Sequence, residues 1–194
     1  MNGGFIIRKV FSTNGLELNA IMAVYQDAMR SSPWFENLPL DLISERVRND
    51  FSQSHSEQFV VISDKGEIEA AMWWDEISLI ALALQRGVDL ADYCRQKLSG
   101  RIAWFRDLLI KESCQSMGLG GLMVDFAIAR WREEGYKNVL LRIHLGGIDN
   151  DIPSNIKAMK LYTRKGFQLI EDITKISKDI NGNPVLMGFM VITL

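Results

Sequence analysis

The sequence is poor in everything that would mark a secreted or membrane-bound chain. It has two cysteines, Cys94 and Cys114, too few and too scattered for a disulfide framework or a zinc cluster, and they read as reduced thiols. Cys114 stands beside a glycine-rich turn, where a small buried apolar role competes with a reactive one. No apolar run reaches the roughly 18 residues of a membrane span. Residues 1–8 lack the charged leader and long apolar core of a secretory signal, so a cytoplasmic location is expected. There is no internal repeat, low-complexity tract or proline- and serine-rich linker, which favours one domain over residues 1–194. Charge is nearly balanced, with 22 Lys and Arg against 24 Asp and Glu. A general nucleic-acid binder is therefore not expected. At 47% hydrophobic and 24% charged residues, the composition is that of an ordinary soluble domain with a sizeable core.

What the chain does have is the run Gln115-Ser116-Met117-Gly118-Leu119-Gly120-Gly121. It follows the apolar Leu108-Leu109-Ile110 and precedes an amphipathic stretch from Leu122 to Trp131. This reads as a strand that stops, a glycine turn, and the open N-terminus of a helix. Such an end presents unpaired backbone N–H groups and the positive pole of the helix dipole, which suits a phosphate. The glycines clear side chains from places where a ligand must touch the backbone. A dinucleotide fold would need G-x-G-x-x-G near the first strand, and a Walker loop would need Lys-Ser or Lys-Thr after the glycines. The sequence meets neither condition.

Periodicity predicts the rest of the order. Residues 5–10 form a first strand and residues 18–29 a helix broken at Ser31-Ser32-Pro33. Asp41 is a candidate cap for a second helix to Phe51, with Leu42, Ile43, Val47 and Phe51 on one side. A hairpin joins the strand at 59–62 to one over 68–79, and an inserted helix pair around Gly87 occupies about 80–100. The strand at 102–111 feeds the glycine turn. In the helix that follows, Leu119, Leu122, Met123, Phe126 and Ala129 share a stripe. A strand at 139–145, a helix at 155–165 and strands at 169–176 and 185–193 complete the chain, the last two joined by a turn at Asn181-Gly182-Asn183. The order implies an α/β fold whose central sheet is mixed in direction, with helices on its faces.

A second block reads Asn155-Ile156-Lys157-Ala158-Met159-Lys160-Leu161-Tyr162-Thr163-Arg164-Lys165-Gly166-Phe167. Together with Gln115-x-x-Gly118-x-Gly120 it strongly resembles the GCN5-related N-acetyltransferase (GNAT) family, whose signatures are Q/R-x-x-G-x-G/A and N-x-x-A-x-x-L-Y-x-x-x-G-F. The resemblance implies the GNAT fold: a mixed sheet of about seven strands, helices on both faces, and strands 4 and 5 splayed apart. Acetyl-coenzyme A is the implied acyl donor, with no metal, and a primary amine the acceptor. The backbone amides of Gln115, Ser116, Met117, Gly118, Leu119, Gly120 and Gly121 would hold the pyrophosphate. Main-chain groups of Ile110 would pair with the pantetheine arm, and the Leu108 amide would face the thioester carbonyl, where charge grows during attack. Asn155 would bind the cofactor arm and Tyr162 would protonate the departing thiolate. Helix capping competes for Asn155, and a core position for the Tyr162 ring.

The general base is less defined. The histone-acetylating branch places a glutamate where this chain has Trp104. His144, at the end of the fifth strand, is a candidate because an unperturbed imidazole titrates near pH 6.5. Glu76 and Asp75, at the end of the third strand, are rivals. On an alternating strand Trp73 and Asp75 share a face, and a carboxylate beside an indole can hold an amine cation. The competing reading places Trp73 and Trp74 in the core. The loop Gly146-Gly147-Ile148-Asp149-Asn150-Asp151-Ile152 is expected over the acceptor mouth, where its aspartates would favour a cation, and a small amine is slightly preferred. The segment at 81–100 either shapes the acceptor site or forms a homodimer contact.

Overall fold

The computed structural model describes residues 4–10, 15–30, 37–52, 55–148, 153–178 and 182–194. In chain order these form β1 (Ile6–Lys9), α1 (Gly15–Arg30), α2 (Leu40–Phe51), β2 (Glu57–Ile62), β3 (Ile68–Glu76), α3 (Leu79–Arg86), α4 (Val88–Lys97) and β4 (Ile102–Ile110). A 3₁₀ turn at Glu112–Cys114 leads to α5 (Leu119–Glu133), then β5 (Asn138–Gly147), α6 (Ile156–Arg164), β6 (Gln168–Lys178) and β7 (Pro184–Thr193). The strands follow the order β1-β2-β3-β4-β5-β7-β6 in a seven-stranded sheet. β4 and β5 are parallel, while β1–β2, β2–β3, β5–β7 and β7–β6 are antiparallel. Parallel pairing runs from Ile102↔Asn138 to Phe105↔Leu141, short of the ends of both strands. The mixed, seven-stranded α/β architecture is the one the sequence implies.

The chain falls into two compact units, Met1–Asp75 with Arg106–Met123, and Glu76–Phe105 with Val124–Leu194. In the first, Ile21 and Tyr25 of α1 and Val47 of α2 join Val60, Ala71, Trp73 and Leu109 in one buried cluster. Trp73 stacks on Tyr25 at 6.3 Å between ring centroids and meets the edge of Phe51 at 5.4 Å. In the second, consecutive residues of β4 serve opposite faces, as strand geometry demands. Trp104 packs with Leu82, Leu90, Ala91 and Cys94 of α3 and α4. Phe105 meets Trp131 of α5 at 5.2 Å and Tyr162 of α6 at 6.2 Å. Burial pushes the Cys94 thiol up to about 12, which keeps it protonated and inert at neutral pH.

β4 carries one residue more than the stretch of β3 it faces. Lys111 donates its amide to the Glu69 carbonyl, and Ile77 donates to that of Ile102. Counted inward from these two bonds, the strands fall out of step by one residue, which defines a bulge. Arg106 and Leu109 locate it. They lie three apart, yet Arg106 bonds Asp50 of α2 and Leu109 enters the α1–α2 cluster. Strict alternation would send them to opposite faces, so the extra residue lies at Asp107 or Leu108.

Several local expectations change. Asp41 does not cap α2; the cap position is Pro39, which makes no side-chain bond, and Asp41 sits in the first turn. Leu42 is exposed, leaving Ile43 and Val47 as the buried face. β3 stops at Glu76 because Ser78 caps α3, its hydroxyl accepting from the Ala81 amide at 3.1 Å. In α5 the buried stripe is Leu119, Met123, Val124, Ala127, Ile128 and Trp131, whereas Leu122 and Ala129 are exposed. The break at 31–33 and Asn181 lie outside the described residues.

Candidate active site

In the first unit, the end of β4 leads into a chain of local bonds that fixes the glycine turn. The Glu112 amide donates to the Asp27 carboxylate at 2.6 Å. The Cys114 amide donates to Lys111 at 2.9 Å and the Gln115 amide to Glu112 at 3.1 Å. The Lys111 ammonium meets the Glu69 carboxylate at 3.0 Å. Beyond this the backbone turns through two left-handed residues, Ser116 at φ 65° and Gly118 at φ 83°. A serine there is uncommon and mildly strained, a condition that clusters at ligand sites. Alternation of left- and right-handed residues turns successive N–H groups to one side, forming an anion-binding concavity.

The first helical bond is Leu122 N–H to the Gly118 carbonyl at 3.1 Å. Among the described residues, the amides of Ser116, Met117, Gly118, Leu119, Gly120 and Gly121 make no hydrogen bond. The first turn of α5 also contains no acidic residue to compete for them. An anion here gains about 0.3–1 kcal/mol from the helix dipole at an exposed site. Leu119 is 3% exposed and anchors the turn, whereas Met117 is 61% exposed. One expectation is corrected: the Gln115 amide is engaged with Glu112, so the open row begins at Ser116. The Gln115 side chain donates instead to the Ile110 carbonyl at 3.4 Å. Leu108, with its amide on the bulged part of β4, is half-buried.

In the second unit, Tyr162 is 8% exposed and its ring is fixed by edge contacts to Phe105 at 6.2 Å and Phe167 at 5.6 Å. Gly166, at φ 95°, ends the helix and lets Phe167 turn back to the Tyr162 carbonyl at 3.0 Å. Asn155 is the N-cap of α6, its side-chain oxygen accepting from the Ala158 amide at 3.1 Å. The capping reading is thus what the geometry displays for that oxygen. Asn155→Ala should cost about 1 kcal/mol, while Asn155→Ser should retain most of the stability. Thermal unfolding of both variants beside the parent checks this.

The candidate bases occupy different settings. His144 is 2% exposed and lies within β5 opposite Met187, beside a register shift between His144 and Gly146. It is a buried interior residue of the strand and does not stand at its end. Its carbonyl accepts the Asn155 amide at 3.0 Å. Glu76 accepts from Arg101 at 2.7 and 3.2 Å. Arg101 also lies 4.3 Å over the Tyr136 ring and donates to the Glu134 carbonyl. The Glu76 hydrogen bond raises the Arg101 pKa above its usual value against a desolvation penalty, with the charges of Glu76, Tyr136 and Glu134 adding to the rise.

Asp75, in the first unit, is 5% exposed and accepts twice from Arg106, at 2.6 and 3.0 Å. Trp73 and Asp75 do share a face, but the cation beside them is Arg106. Its remaining nitrogen donates to Asp50 at 3.1 Å, and Asp50 also accepts the Trp73 indole N–H at 3.1 Å. Burial works against the Arg106 charge, and the bonds and charges of Asp75, Asp50 and Asp107 outweigh it, so its pKa is raised. Trp73 and Trp74 are both fully buried core.

Sequence reading misses Arg106 and Asp50. The only sign of them is a charged pair, Arg106-Asp107, inside the otherwise apolar run of β4. Asp149 and Asp151 of the expected acceptor loop lie outside the described residues. Among the described residues no cluster of three His, Cys, Asp or Glu could hold a metal, and no helix is long and apolar enough to cross a membrane.

Comparison with known proteins agrees with this architecture. A search of curated proteins gives no match. Among solved structures, a protein from Acinetobacter baylyi ADP1 assigned as an acetyltransferase superposes with a TM-score of 0.69 at 14% identity, over 100% of this chain and 95% of that one. An N-acetyltransferase from Staphylococcus aureus Mu50 gives 0.66 at 16% identity, covering 98% of each chain. A GNAT family acetyltransferase from Elizabethkingia anophelis with acetyl-CoA bound gives 0.60 at 11% identity, again over 98% of each. At such identities these share the fold. The sequence profile of the acetyltransferase (GNAT) family matches residues 21–167, most of the chain, and the protein belongs to that family.

Proposed function

We propose that the chain moves the acetyl group of acetyl-coenzyme A to a small primary amine by direct transfer in a ternary complex. The observation that carries this reading is the row of open amides from Ser116 to Gly121, turned by two left-handed residues at the start of α5. It suits a phosphate-bearing group such as a pyrophosphate, whose oxygens accept from backbone amides at a turn and helix N-terminus. Ile110 pairs with the pantetheine arm through its main chain. The Leu108 amide stabilises the thioester oxygen as negative charge collects there. Asn155 uses its side-chain NH₂ toward the cofactor arm, since its oxygen caps α6.

The amine nitrogen attacks the thioester carbon, the carbon–sulfur bond breaks, and Tyr162 gives its phenolic proton to the sulfur. The fixed ring holds that hydroxyl on one line of approach. Asp75 and Glu76 sit in arginine ion pairs, which occupy each carboxylate. His144 is therefore the preferred group for taking the proton the amine loses, through water where direct reach is lacking. The preference for a small cationic amine rests on Asp149 and Asp151, which precede α6 in the sequence.

Thiol release from acetyl-coenzyme A, followed with a panel of small amines and of peptides bearing a free terminus, tests the reading. Release that depends on a small amine is expected. Tight coenzyme A binding with no turnover on any amine would make the chain a cofactor sensor instead.

A further inference from the structure

The ion cluster on β4 has a place in the reaction as proposed above. Arg106, Asp75 and Asp50 form a largely buried triad, with side chains 11%, 7% and 14% exposed. Arg106 grips Asp75 through two parallel bonds, the geometry that fixes a guanidinium in both position and angle. Its third bond reaches Asp50, which the Trp73 indole holds in turn. One residue of β4 is thereby tied to β3 and to the end of α2 at once. The residues that follow immediately are Asp107 and Leu108, where β4 accommodates its extra residue. Asp107 is itself joined to α2 through Arg46 at 3.4 Å.

A bulge leaves a strand locally without its regular ladder and re-aims what it carries. Something other than the ladder must then fix the direction of the Leu108 amide. A buried ion pair is a poor way to stabilise a fold, since apolar residues of similar size often do as well. It is a good way to fix register, because a charge moved off its partners is left uncompensated in a dry place. We propose that Arg106 is a positioning residue for acyl transfer: its clasp on Asp75 and Asp50 holds the bulged segment of β4 so that the Leu108 amide meets the thioester oxygen. The inference rests on the transferase reading for the identity of that oxygen.

The test compares Arg106→Met and Arg106→Lys with the parent by kcat, KM for acetyl-coenzyme A, and amide hydrogen exchange at residues 107–110 with coenzyme A bound. Arg106→Met should lower kcat about 10–100-fold, as displacement of a stabilising donor by about 1 Å does. KM for acetyl-coenzyme A should stay within about threefold, because the pyrophosphate turn is untouched. Exchange at 107–110 should rise while that of β2 stays as it was. Arg106→Lys keeps the charge but loses the fork, so it should recover only part of kcat. If Arg106→Met fails to fold, the Lys variant decides the matter by the same split.

Unchanged kcat, or a fall shared equally by kcat and the folded fraction, would overturn the proposal. Should the parent turn over no amine, the transferase reading fails. Exchange at 107–110 then still judges the clasp: a rise in the variants supports it, and no change overturns it.

Discussion

Tyr162→Phe should lower kcat about 100-fold or more, in keeping with the contribution of a positioned general acid, and leave KM for acetyl-coenzyme A nearly unchanged. The substitution removes one oxygen and keeps the ring that meets Phe105 and Phe167 edge-on, so the fold should tolerate it. The loss belongs to the step in which sulfur departs. Thiolate leaving groups that need no proton should escape the penalty. An acetyl thioester of a strongly acidic thiol should therefore narrow the gap between variant and parent, and steady-state kinetics with the two donors measures that narrowing. A variant with full kcat on acetyl-coenzyme A would remove Tyr162 from the chemistry and leave it a core aromatic.

Gly118→Asp should raise KM for acetyl-coenzyme A about 100-fold, on the order of 3 kcal/mol of lost binding, while the protein stays folded. Gly118 has φ 83°, and a Cβ built there meets no atom within 4 Å. The cost of the new side chain is therefore backbone strain of about 1 kcal/mol, and Asp is among the residues that bear this conformation best. A carboxylate at the start of α5 also recovers about 0.3–1 kcal/mol from the helix dipole. The same carboxylate takes the place of the anion the turn is open to and repels a pyrophosphate beside it. Part of that repulsion should be screened at high salt. Calorimetric titration of coenzyme A at low and high ionic strength, with thermal unfolding alongside, separates the two effects. Unaltered coenzyme A affinity would move the pyrophosphate away from this turn.

Features written in single residue types are legible in the sequence. The turn at Gly118, the stop at Gly166 and the cap at Asn155 each require a particular side chain, or none, at a defined backbone conformation. The strand and helix order follows because apolar spacing has different periods in the two. Ser116 is different: its φ of 65° is imposed by the bonds before it, and a serine carries no sign of that. The phase of α5 is misread because apolar residues lie on both flanks of its true stripe, so periodicity alone does not choose between Leu122 and Val124. The fate of Asp75 is invisible for a plainer reason. The arginine it holds, Arg106, comes from β4, far along the chain, and a carboxylate open to an amine reads the same in sequence as one already holding an arginine.

The bond from the Asn155 amide to the His144 carbonyl, at 3.0 Å, acts as a drawstring. It ties the cap of α6 to β5, so whatever chain intervenes departs from and returns to one fixed neck. Lengthening a closed loop is cheap, about 0.6 kcal/mol for each doubling, and behind such a knot the change is not transmitted to α6 or to the Tyr162 ring. The stretch between the end of β5 at Gly147 and the cap at Asn155 is therefore an exchangeable cassette. Its length and charge can change while α6 keeps its place.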